Sequence, residues 1–314
     1  MSIISFFKLV EIQTKVASII PFSLGSLYAL YKYNDFNYKN FIFMLLSLLA
    51  IDMATTAINN YYDYKTANKT TGYNYESHNA INKYNLEEST VKTTILLLLL
   101  IAITLGIILV LNSNFIVLIL GMLSFVVGIC YSFGPIPISH TPLGEIFSGL
   151  FMGLLITFLA IYIHVFDQNI INLLYQGGLL NIQLNIEELI YIFLFSLPPI
   201  IGIANIMLAN NICDIKDDLE NNRYTLPIYI GKDNSLKLYK FLYYFIYLDL
   251  ILLLILQIIP VIFLITLLTF IPIQKNIKLF LEKQSKKETF VLAVKNFMII
   301  NLSQILTWIL VLLY

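Results

Sequence analysis

The 314 residues are 59% hydrophobic and only 12% charged, with a mean hydropathy of +0.81, far from the roughly 25% charged content of a soluble domain, so the chain reads as an integral membrane protein. Nineteen basic against nineteen acidic residues give a formal net charge of zero, which leaves no global positive field to hold nucleic acid. Cys130 and Cys213 stand apart from each other and outside any CxxC or Cys/His cluster, which argues against a disulfide framework and a thiolate zinc site.

A membrane-crossing helix needs about 20 mostly apolar residues. In chain order such runs are Val16–Tyr31, Phe41–Ile58, Thr93–Leu111, Phe115–Ser132, Leu143–Val165, Leu189–Ala209, Leu238–Leu254, Ile255–Ile273 and Leu292–Tyr314. The expected fold is an all-α bundle of nine transmembrane helices, one polytopic domain over residues 1–314. The seventh and eighth runs are continuous and are divided near Gln257 and Pro260, because the stretch is too long for one crossing and proline disfavours helix interiors. Ahead of the first run, the apolar stretch Ile3–Phe7 is too short for a signal-peptide core, and no cleavage is expected.

Cytoplasmic loops collect Lys and Arg. With the N-terminus in the cytoplasm and the C-terminus outside, seventeen of the nineteen basic residues, Lys69 among them, fall on the inner side; only Lys32 and Lys39 lie outside. The same alternation puts the two long polar loops, after the second and sixth helices, on the cytoplasmic face of a cell membrane, and the chemistry is expected there.

Those loops open on a repeated pattern. The second helix ends in Asn59-Asn60-Tyr61-Tyr62-Asp63-Tyr64-Lys65 and the sixth in Asn210-Asn211-Ile212-Cys213-Asp214-Ile215-Lys216, both NNxxDxK, at an offset of 151 residues. The offset suggests an internal duplication. Residues four apart share a helix face, which aligns Asn59 with Asp63 and Asp214 with Asp218. Asp217 and Glu220 add to the negative charge of the second copy, and such a cluster calls for a cation. Carboxylate and amide oxygens without His or Cys suit Mg²⁺, which favours one or two carboxylates plus substrate phosphates. Lys65, Lys216 and Arg223 are placed to contact phosphate oxygens. A solvated helix end would account for either copy alone.

These residues carry a resemblance. An N(D/E/N)xxD helix end followed later by DxxxD and a basic-Thr-Leu segment resembles the UbiA superfamily of intramembrane prenyltransferases. Within it, Leu9–Phe22, Asn59–Lys65, the segment YSFGPIPISHTPLGE that opens on Tyr131, and Leu208–Gly231 resemble the 1,4-dihydroxy-2-naphthoate polyprenyltransferases of menaquinone synthesis. The resemblance implies a bundle opening to the cytoplasm and an Mg²⁺-held polyprenyl diphosphate whose chain passes to an aromatic carbon. By position, the metal-binding residues would be Asn59, Asp63, Asp214 and Asp218. Asp63, Asp214 and Asp218 are the catalytic candidates. Asn60, Asn210, Asn211, Lys65, Lys216, Arg223, Lys15, Asp52 and Tyr131 are the substrate-binding candidates. Many relatives carry an acid where this chain has Asn60, a further Asp where it has Ala67–Lys69, and some branches a Lys where it has Pro135.

Asp52 lies three turns before Asp63 on the same face, about 16 Å deeper along the helix axis. Charge inside a span faces the protein interior, so Asp52 is expected either to contact the acceptor or to link helices. Asp249 is read as structural and Glu145 as a helix N-terminal carboxylate. Of His78, His140 and His164, only His140 is near the expected mouth; Lys15, Arg223 and His140 are the candidates to meet an acceptor carboxylate. The competing readings are a sister enzyme acting on 4-hydroxybenzoate or another acceptor, and a secondary transporter with duplicated halves.

Overall fold

The computed structural model describes residues 1–66 and 79–313, so Ala67–Lys69 and His78, singled out above, lie outside the described residues. The chain is built almost wholly of helices: α1 (Ile3–Leu9), α2 (Val16–Tyr33), α3 (Tyr38–Thr66), α4 (Glu88–Leu111), α5 (Phe115–Ser132), α6 (Gly144–Val165), α7 (Ile186–Phe195), α8 (Leu197–Cys213), α9 (Ile215–Glu220), α10 (Leu226–Ile230), α11 (Lys232–Ile255), α12 (Val261–Glu282) and α13 (Phe290–Leu313). Among the described residues seven of these are long and apolar enough to cross a membrane, namely α3, α4, α5, α6, α11, α12 and α13. Counting α7 and α8 as one bent span makes eight. Helix α2 occupies the first expected span, but its serines, tyrosines and Lys32 leave it outside that set.

The breaks have local causes. Chain direction changes by 46° between α7 and α8, where Ser196 ends one helix and Pro198 and Pro199 stand in the first turn of the next, a position that needs no donor N–H. Between α11 and α12, Gln257 takes a left-handed φ of 57° and Pro260 precedes the next helical turn, so the division falls where the sequence places it. Among the described residues the departure from an all-helical chain is a hairpin, β1 (Ile171–Gln176) and β2 (Leu179–Leu184), antiparallel and joined by Gly177-Gly178. Both glycines have positive φ, as a type I′ turn requires.

The chain forms two compact units. The first comprises Met1–Ile19 and Tyr38–Pro137. In it α3 packs along α4 and α5, around Leu9, Ala57, Ala80, Ile81 and Val91 and a second set of Val10, Ala54 and Leu98. Ser47 of α3 donates to the Ala102 carbonyl of α4 at 2.8 Å. The outward face of α4, with Leu96, Leu97, Leu100, Ile103 and Ile107, is exposed, the reverse of a soluble helix and the surface expected to meet lipid.

The second unit comprises Ile20–Asn37 and Ile138–Tyr314. Here α8 is the central helix, touching α6, α11 and α13. Its approach to α6 is set by Gly149 and Gly153, in a π-helical stretch of α6. A Cβ on Gly153 would stand 2.5 Å from the Ile200 Cα, and one on Gly149 would stand 2.8 Å from the Ile200 carbonyl oxygen. Backbones in such contact are the small-xxx-small mode of membrane helix packing. Gly153→Leu is therefore expected to destabilise the protein by about 3 kcal/mol, read as a lowered Tm in detergent; a Tm unchanged from the parent would show that the two backbones can part without cost.

Candidate active site

In the first unit, Asn59–Lys65 forms the last turns of α3. Asn59 and Asp63 are half-buried and one turn apart. Asn60 is buried and committed locally: its amide donates to the Leu9 carbonyl at 2.9 Å and to Glu11 Oε1 at 3.3 Å, while its carbonyl accepts from Asn79 at 2.8 Å. Lys65 pairs with Glu88, which also accepts from the Tyr61 hydroxyl at 3.2 Å and stands 3.9 Å from Lys92. Tyr131 is half-buried in the last turn of α5.

Deeper on α3, Lys15 and Asp52 are joined. The Lys15 ammonium, 1% exposed, donates to Asp52 Oδ1 at 2.6 Å, to the Asp52 carbonyl at 3.0 Å and to the Thr56 hydroxyl at 2.7 Å. The Ser18 hydroxyl donates to the other Asp52 oxygen at 2.6 Å. All three donors of the ammonium are thus used, and the pair fastens the start of α2 to α3. This is the helix link that was one of the two expectations for Asp52.

In the second unit the repeat copy straddles a helix junction. Helix α8 ends at Cys213, Asp214 is the junction residue, and α9 resumes with the Asp218 N–H donating to the Asp214 carbonyl at 2.8 Å. Asp218 is buried; its Oδ2 accepts from the Thr225 hydroxyl at 3.1 Å and its carbonyl from the Arg223 N–H at 2.8 Å. Asn211 is buried and donates to Glu145 Oε1 at 2.8 Å, leaving Glu145 Oε2 buried with no hydrogen-bond partner among the described residues. Asn210 and Asp214 share one cation, the ammonium of Lys286 from the segment between α12 and α13. Lys216 is exposed and Arg223 half-buried. Burial, with the Arg223 charge nearby, pushes the His140 imidazole down to about 4, and the His140 carbonyl accepts from the Tyr224 N–H at 2.9 Å. Asp249 is buried in α11, neither carboxylate oxygen having a hydrogen-bond partner among the described residues.

Lys286, Glu145 and Thr225 are the residues that motif reading passes over. Lys286 sits in a Lys-rich loop where a topogenic charge and a site charge look alike, and Glu145 at a helix start where a dipole partner suffices. Thr225 stands inside the basic-Thr-Leu segment, so its signal was present.

The donor set fits a hard divalent cation. Among the described residues no three carboxylate, imidazole or thiolate groups converge; the oxygens present at the second motif are of the hard type that a cation such as Mg²⁺ takes one or two at a time, together with substrate phosphates. That Asn210 and Asp214 together accept an ammonium demonstrates that their oxygens can serve one positive charge. Burial, assisted by the Asp214 charge, pushes Asp218 up from 3.8 to about 6 against the opposing Thr225 hydrogen bond. A raised carboxyl pKa means that the folded protein holds the extra proton, so its stabilising contribution is present below pH 3.8 and lost as pH rises through about 6. Metal binding runs the other way because the proton must leave. Mn²⁺ affinity, followed by electron paramagnetic resonance, is expected to fall as pH drops below about 6 and to lose that slope in Asp218→Asn; the same slope in both proteins would remove Asp218 from the site.

Comparison with known proteins places this geometry in context. The sequence profile of the UbiA prenyltransferase family matches residues 18–302. The chain is 31% identical over 226 residues to the 1,4-dihydroxy-2-naphthoate octaprenyltransferase of Bacillus subtilis (strain 168), an alignment covering 72% of this chain and 66%, just under two thirds, of that relative. The fold is similar to that of a UbiA homologue from Aeropyrum pernix K1, with TM-score 0.68 and 18% identity over 94% of this chain and 98% of the other. It is also similar to that of a UbiA homologue from Archaeoglobus fulgidus bound to GPP and Mg²⁺, with TM-score 0.67 and 14% identity over 99% of this chain and all of the other.

Proposed function

Because the chain belongs to the UbiA prenyltransferase family, we propose that it transfers a polyprenyl chain from polyprenyl diphosphate to 1,4-dihydroxy-2-naphthoate, with loss of CO₂, to give a demethylmenaquinone. The observation that carries the reading is the oxygen pair Asn210 and Asp214 gathered on one positive charge, with Asp218 buried one helical turn further on. The choice of acceptor rests on the Bacillus subtilis relative. On this reading nine spans cross the cell membrane with the N-terminus cytoplasmic, the C-terminus outside and the site opening to the cytoplasm.

The proposed roles follow from the charges that develop. As the allylic C–O bond breaks, its electron pair leaves with the diphosphate. Bound Mg²⁺ would supply charge neutralisation of that leaving group. Asn59 and Asp63 from the first motif, and Asp214 and Asp218 from the second, would hold it. Lys286 gives up Asn210 and Asp214 to the metal and, with Arg223 and Lys216, is left to meet phosphate oxygens. Asn210 then stands as a neutral donor and acceptor beside the diphosphate. Asn60, Asn211 and Lys65 act on this reading by fixing the helix ends on which those residues sit, through Leu9, Glu145 and Glu88 respectively.

The allylic cation that remains would be quenched by water, so the membrane-embedded interior has the second task of excluding it. The ring carbon bearing the carboxylate attacks the cation, forming a C–C bond. Loss of CO₂ then returns its electron pair to the ring and restores aromaticity. Lys15, occupied by Asp52, is the least available of the three candidates for the acceptor carboxylate, which leaves Arg223 and the neutral His140 imidazole. The class of reaction is tested with purified protein, polyprenyl diphosphate and dihydroxynaphthoate. Diphosphate release should need both Mg²⁺ and acceptor and stop in EDTA; full turnover in EDTA would refute a metal-held diphosphate.

A further inference from the structure

The hairpin between α6 and α7 has no part in the chemistry proposed above, and its pattern is unusual. Its register pairs Ile171 with Leu184, Leu173 with Ile182 and Tyr175 with Leu180, so alternation along each strand puts all six on one face. The opposite face carries Asn172, Gln176, Asn181 and Gln183 with Leu174 and Leu179. From Gln168 to Ile186 no residue is charged. The apolar face is covered only at the start of β1: Ile171 and Leu173 are half-buried, whereas Tyr175 is 74%, Leu180 60%, Ile182 59% and Leu184 48% exposed.

A lone two-stranded hairpin is marginally stable in water and needs a surface to pack on. The surroundings indicate which surface. The hairpin base is tied to the end of α6, where the Tyr162 hydroxyl donates to the Ile171 carbonyl at 3.3 Å, and it is closed by Asn185 N–H donating to the Ile170 carbonyl at 3.0 Å. Immediately beyond it, α7 carries an exposed apolar stripe of Ile186, Ile190 and Phe193, one helix face by spacing. The same helix holds Glu188, which accepts from the Tyr33 hydroxyl at 2.7 Å and stands 3.7 Å from Lys32, and Tyr191, whose ring lies under Lys32 at 5.3 Å. Tyrosines and a lysine at the ends of apolar helices are the marks of the membrane–water boundary.

We propose that the hairpin lies on the bilayer at this boundary, with Ile171, Leu173, Tyr175, Leu180, Ile182 and Leu184 turned into the lipid surface and the Asn/Gln face toward water. It cannot sit in the hydrocarbon core, because both strands keep an unpaired edge whose N–H and C=O groups need water or headgroups. The interface satisfies both demands at once: burial for the apolar face and hydration for the edges. Absence of charge on the hairpin removes the cost of bringing the polar face to headgroup depth. The lipid contact of α7 thereby extends across the connection from α6.

The test places an environment-sensitive fluorescent amino acid at Leu180 and, in a separate protein, at Asn181 on the opposite face, with each protein reconstituted in phosphatidylcholine–phosphatidylglycerol nanodiscs. At Leu180 the expected result is blue-shifted emission, quenching by doxyl-labelled lipid and loss of quenching by aqueous iodide; at Asn181 iodide should quench. Iodide quenching of equal strength at both sites, in protein that retains the parent Tm, would show a hairpin standing free in water. Leu180 protected from both quenchers, with emission that changes when labelled protein is diluted with unlabelled, would show a second copy of the chain on this face. Either outcome overturns the proposal.

Discussion

Asp214→Ala is expected to lower turnover by on the order of 100-fold or more, the scale of losing a principal electrostatic stabiliser of a developing anion. Asp214 sits at the break between α8 and α9 with its side chain beside Asn210 and bound to the Lys286 ammonium, so no other residue can take its place without rebuilding the junction. Removing it also strands Lys286 on a neutral amide. The variant should therefore lose Mn²⁺ binding as well as rate, and Asp63→Ala and Asp218→Ala should follow it in both. Tm distinguishes a dead site from an unfolded chain. A folded Asp214→Ala protein with parental turnover would mean that the second motif is only a solvated helix end.

The second large effect is on stability. Lys15→Met leaves the half-buried Asp52 carboxylate with Ser18 as its remaining side-chain partner among the described residues, and breaking the pair from one side is expected to cost about 3 kcal/mol, the lower end of the range for buried pairs. The Lys15→Met/Asp52→Asn double variant removes both charges and should recover much of the loss, since the penalty belongs to the orphaned charge more than to the missing attraction. Thermal unfolding of the single and double variants reads this directly. The alternative, in which Asp52 serves the acceptor, makes a different forecast: Asp52→Asn would raise the acceptor KM with Tm intact.

What could be read from the sequence depended on range. Runs such as Phe115–Ser132 needed nothing beyond their own apolarity, and the observed helix has the same bounds. The break near Gln257 and Pro260 was visible because proline acts within its own turn. The bend at Ser196 had the same kind of signal in Pro198-Pro199, but the apolar run across it masked the change of direction. The hairpin was missed for a related reason. Its Gly-Gly turn is the signal, but Leu174 and Leu179 break the alternation on either side of it, and a short uncharged segment between spans invites no search for strands.

Side-chain partners were legible only where they repeat. The two NNxxDxK copies drew attention to Asp63 and Asp214 because the pattern recurs at equivalent helix ends. Asn211 with Glu145, and Lys286 with Asp214, join positions 66 and 72 residues apart, and no local pattern encodes a pairing at that distance. Asp52 drew attention as a charge inside a span, expected either to meet the acceptor or to link helices, and its contact with Lys15, 37 positions away, is likewise a pairing that no local pattern encodes.

The central claim, prenyl transfer to dihydroxynaphthoate, is tested most directly by letting acceptors compete. Purified protein in nanodiscs with Mg²⁺ and one polyprenyl diphosphate would receive 1,4-dihydroxy-2-naphthoate and 4-hydroxybenzoate together, and the lipid products would be identified by mass. The account predicts demethylmenaquinone, formed with release of CO₂ in step with diphosphate. A prenylated 4-hydroxybenzoate that keeps its carboxyl group, with no demethylmenaquinone, would contradict it.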